Sequence, residues 1–257
     1  MLLTIDIGNT NIVLGLFQGE DLVVTARIAT DPNRTVDEYG HIIQSILEIK
    51  LRHRVHITGV SLSSVVPSLA DVFREFAMSW LRQDPLVVGP GIKTGLAIRY
   101  DDPRKVGADR IVNAVAGSHY YGVPLILIDF GTAVTFCAVS TDHTYLGGAI
   151  FPGIRISFDA LFARTAQLPR MAFQRPPKVI GGSTAESLQS GAIYGYASLV
   201  DGMVAKYRHE MREPNARVVG TGGLASLIAG VSETMTTVDE HLTLKGLKLL
   251  YQMNRGE

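Results

Sequence analysis

Two acidic glycine turns, one in each half of the sequence, are the features best suited to carry chemistry. The first is Ile5-Asp6-Ile7-Gly8-Asn9-Thr10, and the second is Ile128-Asp129-Phe130-Gly131-Thr132-Ala133. Turn glycines allow backbone N–H groups to approach phosphate oxygens closely, and a carboxylate can hold a cation such as Mg²⁺ directly or through its waters. The pair therefore predicts a site that binds a polyphosphate from two sides, although an ordinary Asp-capped turn would explain either copy alone.

A third acidic residue, Asp109, lies in Gly107-Ala108-Asp109-Arg110, directly before an apolar stretch that begins at Ile111. The spacing predicts a helix that holds this quartet in its first turn. Free N–H groups and the helix dipole favour an anionic ligand there, and the guanidinium of Arg110 can pair with a carboxylate. Asp109 could accept a proton from a substrate hydroxyl, whereas a purely structural Asp at this place would only complement the dipole.

Both acidic turns open the same order of predicted elements. In the first half, strands are predicted at residues 2–7, 11–18, 22–28, 55–66 and 85–88, with helices at 35–47 and 69–81. The order restarts with strands at 125–130, 135–139 and 145–151, then helical stretches around 185–211 and a late strand at 216–220. We interpret the repeat as an internal duplication. It predicts two similar α/β domains, residues 1–115 and 116–257, facing each other across a cleft.

The composition favours a globular protein that acts on a small molecule. Apolar residues make up 46% of the 257 residues, which allows a sizeable core. Lys plus Arg and Asp plus Glu number 24 each, so the chain lacks the basic footprint of a nucleic-acid-binding protein. Cys137 is the only cysteine, and neither a signal peptide nor an 18-residue apolar stretch is present. We therefore expect a cytoplasmic protein without a membrane segment.

Other common catalytic motifs are missing from the sequence. The segment Gly89-Pro90-Gly91-Ile92-Lys93-Thr94 lacks the spacing of a P-loop. No G-x-G-x-x-G opens the chain and no G-x-S-x-G occurs, which argues against a Rossmann dinucleotide domain and a nucleophile elbow.

The paired turns resemble those of the actin, hexokinase and Hsp70 superfamily, whose two hairpins hold the nucleotide phosphates. The resemblance implies an α/β fold of two duplicated ribonuclease H-like (actin-like ATPase) domains with a central cleft. A later segment, Gly220-Thr221-Gly222-Gly223-Leu224-Ala225, resembles the glycine-rich turn that these proteins place near adenosine.

Nearly end to end, and in order, the sequence resembles one family, the type III pantothenate kinases. The most specific match is the Gly107-Ala108-Asp109-Arg110 quartet. The remaining matching segments are Asp6-Ile7-Gly8-Asn9-Thr10-Asn11, Gly91-Ile92-Lys93-Thr94-Gly95, Asp129-Phe130-Gly131-Thr132-Ala133, Gly147-Gly148-Ala149-Ile150-Phe151-Pro152-Gly153 and Thr221-Gly222-Gly223-Leu224-Ala225.

This resemblance implies ATP-dependent phosphorylation of the 4′-hydroxyl of pantothenate, the first step towards coenzyme A. It implies that Asp109 is the catalytic base. The residues implied to line the substrate site are Tyr100, Gly107, Ala108, Asp109 and Arg110. Those implied to bind ATP are Asp6, Ile7, Gly8, Asn9, Thr10, Asn11, Ile12, Val13 and Thr132.

The resemblance also implies cations and a second subunit. ATP would bind together with Mg²⁺, and Asp129 would bind a monovalent cation, K⁺ or NH₄⁺. The family is dimeric, and Thr184 would enter the substrate site of the neighbouring subunit. Around Thr184 the sequence departs from the family pattern, since Ser183 stands where Asn is frequent and Ser187 where a small apolar residue is usual.

Two other classes of function remain open at this stage. One is another kinase or phosphatase of the same superfamily, acting on a sugar, an acetate-like acid or polyphosphate; Tyr100 and the quartet that ends at Arg110 argue against it. The other is a non-catalytic regulator, because some family members are described as accessory factors for transcription. The neutral charge and the intact set of Asp6, Asp109 and Asp129 argue against that class.

Overall fold

The computed structural model describes residues 1–52, 55–165, 168 and 170–256. The chain has an α/β fold with two mixed β-sheets, and it divides into two compact units. The predicted α/β class is confirmed. Within the described residues, no helix is both long enough and apolar enough to cross a membrane.

The strands of the described residues are β1 (Leu2–Ile7), β2 (Asn11–Gln18), β3 (Asp21–Ala29), β4 (Gly59–Ser64), β5 (Leu86–Val87), β6 (Ala97–Ile98), β7 (Leu125–Phe130), β8 (Ala133–Val139), β9 (Thr144–Pro152), β10 (Arg217–Thr221) and β11 (Thr237–Val238). The α-helices are α1 (Val36–Leu51), α2 (Pro67–Ser79), α3 (Ala108–Tyr121), α4 (Ile154–Arg164), α5 (Thr184–Ser190), α6 (Tyr196–Met211), α7 (Ala225–Ala229) and α8 (Leu242–Arg255). A π-helical stretch, Gly191–Gly195, joins α5 to α6.

The first unit comprises residues 1–95, 101–116 and the segment from Leu242 onward. Its sheet has the order β3-β2-β1-β4-β5, in which β1 is antiparallel to β2 and parallel to β4. Alternate apolar residues of these strands form a core with α1 and α2. The fully buried members include Leu3, Ile5, Ile7, Ile12, Leu16, Val60, Leu62, Tyr39 and Phe73.

Helix α1 begins next to the predicted start because its first turn forms a capping box. The Thr35 hydroxyl accepts a hydrogen bond from the Glu38 N–H at 3.3 Å, and the Glu38 carboxylate accepts one from the Thr35 N–H at 2.8 Å. Two N–H groups that the helix leaves unpaired are satisfied in this way.

The opposite face of the first sheet packs against α8. A Cβ on Gly59 would strike the ring of Tyr251, and one on Gly15 would lie 2.9 Å from Leu244, so α8 approaches these strands closely. Helix α8 also meets α3 at Gly246, where a Cβ would lie 2.5 Å from the Val112 carbonyl oxygen.

The second unit comprises residues 96–100 and 117–241. Its sheet has the order β11-β10-β7-β8-β9-β6, in which β7 is antiparallel to β8 and parallel to β10. Without the edge strand β6, the other five strands repeat the arrangement of the first unit: a three-strand antiparallel meander with two parallel strands beside its first member. The predicted duplication is therefore present in the topology.

The predicted boundary between residues 115 and 116 would place α8 in the second unit and β6 in the first. The structure assigns each of them to the other unit. Helix α8 belongs to the first unit, because its fully buried side chains, Leu242, Leu247 and Leu250 among them, pack there. Strand β6 belongs to the second unit, because the Ala97 N–H donates to the His143 carbonyl and β6 pairs with β9. In both cases packing rather than chain order decides the unit.

Candidate active site

The first acidic turn is a tight hairpin between β1 and β2. The Gly8 N–H donates to the Asn11 carbonyl at 3.0 Å, and a Cβ on Gly8 would lie only 2.9 Å from that oxygen. From outside the hairpin, the Thr30 hydroxyl donates to the Gly8 carbonyl at 2.7 Å and the Thr30 N–H donates to the Thr10 carbonyl at 3.1 Å. Asn9 and Thr10 are exposed at the tip. The turn is thus fixed from both sides while its tip stays accessible.

Asp6 lies at the end of β1, directly opposite Ser63 of the parallel strand β4. The Ser63 hydroxyl donates to Asp6 Oδ1 at 2.7 Å. Burial raises the pKa of Asp6 from an ordinary 3.8 to about 6; the hydrogen bond from Ser63 lowers it, and the negative charge of Asp109 raises it. Burial and the charge of Asp109 therefore disfavour the ionised form of Asp6, while the hydrogen bond from Ser63 favours it.

Asp109 lies in the first turn of α3, where the sequence predicted it. Its Oδ1 accepts a hydrogen bond from the N–H of Arg110 at 2.8 Å. A Cβ on Gly107 would lie 2.5 Å from this oxygen, so a larger residue at 107 would displace the carboxylate. Burial raises the pKa of Asp109, while the Arg110 N–H and the Arg110 charge lower it, and the net direction is upward. Arg110 itself is 7% exposed.

The first unit brings Asp6 and Asp109 together. They are close enough for the charge of Asp109 to raise the pKa of Asp6. Two partly buried carboxylates near each other form the kind of site at which enzymes place acid–base and phosphate-binding groups.

The second acidic turn, between β7 and β8, is also fixed by backbone contacts. The Gly131 N–H donates to the Ala133 carbonyl at 3.1 Å, and the Gly153 N–H donates to the Thr132 carbonyl at 3.0 Å. A Cβ on Gly153 would strike that carbonyl oxygen, so only glycine allows this approach. The Thr132 residue is exposed.

Asp129, the last residue but one of β7, lies beside the glycine-rich turn that follows β10. Gly222 has φ +90°, and a Cβ there would lie 2.6 Å from Asp129 Oδ1 and 2.8 Å from the Phe130 backbone. Glycine is thus required at 222 for its conformation and for the space that the Asp129 carboxylate occupies. The resemblance implied that this turn lies near adenosine. The structure shows in addition that Gly222 lies directly against Asp129, the predicted cation ligand.

Of the other predicted residues, Ile7, Ile12, Val13 and Ala108 belong to β1, β2 and α3 of the first unit, and Tyr100 and Thr184 lie in the second unit. Tyr100 follows β6 and is 41% exposed. Its ring lies against Gly147, where an added Cβ would be 3.5 Å from the ring carbon Cε2. Thr184 is the exposed first residue of α5. Ser183, which replaces the frequent Asn, is the N-cap of that helix and accepts a hydrogen bond from the Glu186 N–H at 3.3 Å.

Comparison with known proteins identifies the family. The family model described as type III pantothenate kinase matches residues 2–206. The chain belongs to the type III pantothenate kinases. Among curated members of this family, that of Anaeromyxobacter sp. (strain Fw109-5) is 52% identical over 255 residues, 99% of this chain and 100% of that protein. That of Geobacillus kaustophilus (strain HTA426) is 49% identical over 254 residues, 99% of this chain and 98% of that protein.

Solved structures support the fold of this type III pantothenate kinase. A protein described as a Baf family transcriptional activator from Campylobacter jejuni has a TM-score of 0.63 at 18% identity, covering 99% of this chain and 100% of that one. A ROK family glucokinase from Streptomyces griseus, in complex with glucose and AMPPNP, has a TM-score of 0.55 at 12% identity, with the same coverage. At these identities the likeness concerns the fold alone.

Sequence reasoning missed Ser63 in this type III pantothenate kinase. Ser61 and Ser63 interrupt the apolar residues of β4, and two buried hydroxyls at alternate positions of a central strand were a usable signal. What the sequence could not supply was the pairing of β4 with β1, which sets Ser63 opposite Asp6.

Proposed function

We infer that this chain transfers the γ-phosphoryl group of ATP to the 4′-hydroxyl of pantothenate, the first step of coenzyme A biosynthesis. Family membership over almost the whole chain supports the substrates. The observation that carries the chemistry is the partly buried carboxylate of Asp109, set in the first turn of α3 near a second carboxylate, Asp6.

Asp109 is proposed as the base. Phosphoryl transfer has a loose transition state, so positioning and charge stabilisation dominate catalysis. As the 4′-oxygen forms its bond to the γ-phosphorus, its proton passes to the Asp109 carboxylate, and the bond from the γ-phosphorus to the bridging oxygen of ADP breaks. Burial raises the pKa of Asp109, which improves it as a proton acceptor, while the neighbouring Arg110 favours its ionised form.

The proposed binding residues divide between the two substrates. For ATP they are residues 6–13 of the first hairpin together with Thr132 of the second. The fixed turn at Gly8 and the exposed tip residues support this assignment, because backbone and side-chain donors there are already held in place. For pantothenate they are Tyr100 and residues 107–110, where the N-terminus of α3 favours an anionic group such as the pantothenate carboxylate.

Cations are proposed at the acidic residues. The Asp129 carboxylate is proposed to bind a monovalent cation, K⁺ or NH₄⁺, because a carboxylate oxygen is a hard donor and Gly222 provides the space that Oδ1 occupies. Asp6 fits Mg²⁺ held directly or through water, since a single carboxylate plus phosphate oxygens suits that ion. When bound, these cations would neutralise charge on the triphosphate.

We further propose a homodimer in which Thr184 acts in the partner's substrate site. Val179 and Ile180 are 61% and 87% exposed, and the Ser190 hydroxyl donates to the Val179 carbonyl, which places this segment at the C-terminal end of α5, the helix that Thr184 begins. Large exposed apolar side chains next to the helix that carries Thr184 favour an interface there. A cytoplasmic location is proposed from the reaction and from the single, buried cysteine, Cys137.

The function is tested by coupled ADP release with ATP, Mg²⁺ and pantothenate, with and without K⁺ or NH₄⁺. We expect turnover with pantothenate and activation by the monovalent cation. A substrate panel of sugars, acetate and polyphosphate is the control. Turnover with one of these, and none with pantothenate in either salt, would contradict the assignment.

The dimer is tested by mixing two inactive variants, Asp109→Asn and Thr184→Val. If Thr184 acts across the interface, the mixed dimer contains one intact site, and mixing restores activity that neither variant shows alone. If Thr184 acts within its own subunit, mixing restores nothing. Size-exclusion chromatography with light scattering gives the oligomeric state independently.

A further inference from the structure

Ser63 is the one residue in the described part of the chain whose side chain hydrogen-bonds Asp6. Its hydroxyl donates to Oδ1 at 2.7 Å, and Ser63 is 0% exposed. A hydroxyl bond of this length to a carboxylate is short and charge-assisted, so it restrains rotation of the carboxylate group. Across the described residues, the other oxygen, Oδ2, makes no hydrogen bond to the protein.

The position of Ser63 is set by strand pairing. In the parallel pair β1–β4, Asp6 and Ser63 are direct partners and point to the same face of the sheet. The turn at Gly8 follows two residues after Asp6 on β1. The orientation of the Asp6 carboxylate is therefore anchored to the sheet, through β4, and does not depend on the exposed turn.

The second unit repeats the arrangement. There, Thr221 of β10 is the direct parallel partner of Asp129 on β7, and Thr221 is 2% exposed. In both units a hydroxyl residue thus lies opposite the acidic residue that is last but one in the first strand of the meander.

We propose that Ser63 is a positioning residue for the kinase reaction: its hydroxyl holds Oδ1 of Asp6, so that Oδ2 is presented to bound ATP and its cation. The proposal rests on the proposed function, because it assigns Asp6 to the ATP site. The electrostatics agree with it, since burial opposes the charge of Asp6 and the Ser63 hydrogen bond favours it. Ser63 itself touches no reacting atom and acts through Asp6.

The chain offers a matched control, Ser61. It lies on the same strand and the same face as Ser63, it is also 0% exposed, and its hydroxyl has no hydrogen-bond partner among the described residues. Ser63→Ala and Ser61→Ala therefore remove the same atom from equally buried places. Only the first removes a bond to Asp6.

The measurements are kcat and KM for each substrate, together with calorimetric binding of Mg²⁺·ATP and of pantothenate. We expect Ser63→Ala to lower kcat/KM for ATP by about tenfold or more, the scale of a lost hydrogen bond to a charged group. Binding of pantothenate without ATP should stay within about twofold of the wild type. Ser61→Ala should match the wild type in both. Equal kinetics of the two alanine variants would overturn the proposal.

A second pair of variants keeps the test valid if Ser63→Ala folds poorly. Thr and Val have nearly the same shape, and only Thr retains the hydroxyl. We expect Ser63→Thr to recover most of kcat/KM for ATP and Ser63→Val to resemble Ser63→Ala. Equal loss in the Thr and Val variants would assign Ser63 to packing and would also overturn the proposal.

Failure of the proposed function would be visible separately. If the wild type does not phosphorylate pantothenate, the assay itself shows it before any variant is compared. Binding of Mg²⁺·ATP still tests Ser63 in that case: weaker binding by Ser63→Ala than by Ser61→Ala supports the positioning role, and equal binding refutes it.

Discussion

Replacing Asp6 by Asn is expected to make the ligand-free protein more stable at neutral pH while weakening ATP binding. Asn keeps the shape of the side chain and can still accept the hydrogen bond from Ser63, but it removes a charge that burial and Asp109 disfavour. Residues at functional sites often reduce stability in this way, because the site is arranged for a ligand that the free protein lacks.

The size of the effect follows from the pKa. The pKa of Asp6 rises from 3.8 in an unfolded chain to about 6 in the folded protein, and each unit corresponds to about 1.4 kcal/mol. Because the folded state binds this proton more tightly, stability falls as pH rises from about 4 to about 6 and is constant above. Ionised Asp6 thus costs up to about 3 kcal/mol at pH 8, of which about 1.4 kcal/mol develops between pH 5 and pH 8.

The assay is urea unfolding of the ligand-free protein between pH 5 and pH 8, followed by the fluorescence of Trp80. This is the only tryptophan of the chain, and it lies in the first unit with Asp6. The free energy of unfolding of Asp6→Asn minus that of the wild type should increase with pH by about 1.4 kcal/mol. Because the other titratable groups are the same in the variant and the wild type, their contributions cancel when the two free energies of unfolding are subtracted.

Glu38→Gln is the matched control in the same unit. The hydrogen bond from the Thr35 N–H, aided by the Thr35 hydroxyl, holds the pKa of Glu38 below its ordinary value. Both pKa values of Glu38, folded and unfolded, lie at or below 4.5, so its difference curve should be nearly flat between pH 5 and pH 8. A curve for Asp6→Asn as flat as that of the control, or one that falls as pH rises, would refute the reasoning.

Further variants test the site and the fold. Asp109→Asn should leave the fold intact, without lowering the thermal midpoint, and lower kcat by about 100-fold or more; near-normal kcat in the folded variant would contradict its role as base. Gly107→Ala, whose Cβ would lie 2.5 Å from the Asp109 carboxylate, should lower kcat by about 10- to 100-fold, but not further in the Asp109→Asn background; additive losses would contradict a shared cause. Gly222→Ala should raise the K⁺ concentration for half-activation about tenfold, because it displaces Asp129; unchanged K⁺ titration would contradict this. Gly246→Val should lower the free energy of unfolding by about 1–3 kcal/mol, measured in urea, and an unchanged value would contradict close packing of α8.

Much of the fold could be predicted because its signals are local. The capping box of Thr35 and Glu38 marks the start of α1, and the turn at Gly8 separates β1 from β2. The repeat of an acidic glycine turn predicted the duplication that the two sheet topologies show. The place of Asp109 in the first turn of α3 followed from the apolar residues behind it.

Other features depend on residues that are far apart in the chain. The contact between Ser63 and Asp6 requires β4 to pair with β1, and the contact between Gly222 and Asp129 requires β10 to end beside β7. The assignment of α8 to the first unit likewise depends on which surface buries its apolar side. None of these follows from the residues next to them in sequence.

The sequence by itself determined the meander strands of both units, the turns between them, the start of α1 and the chemical types of the acidic residues, because backbone propensity and hydrophobic period act over a few residues. Only the tertiary structure decided that Ser63 and Asp109 lie near Asp6. That placement, together with burial, sets the raised pKa of Asp6. The physical reason is that desolvation and charge interaction depend on distance in space, and the pairing of non-consecutive strands sets that distance.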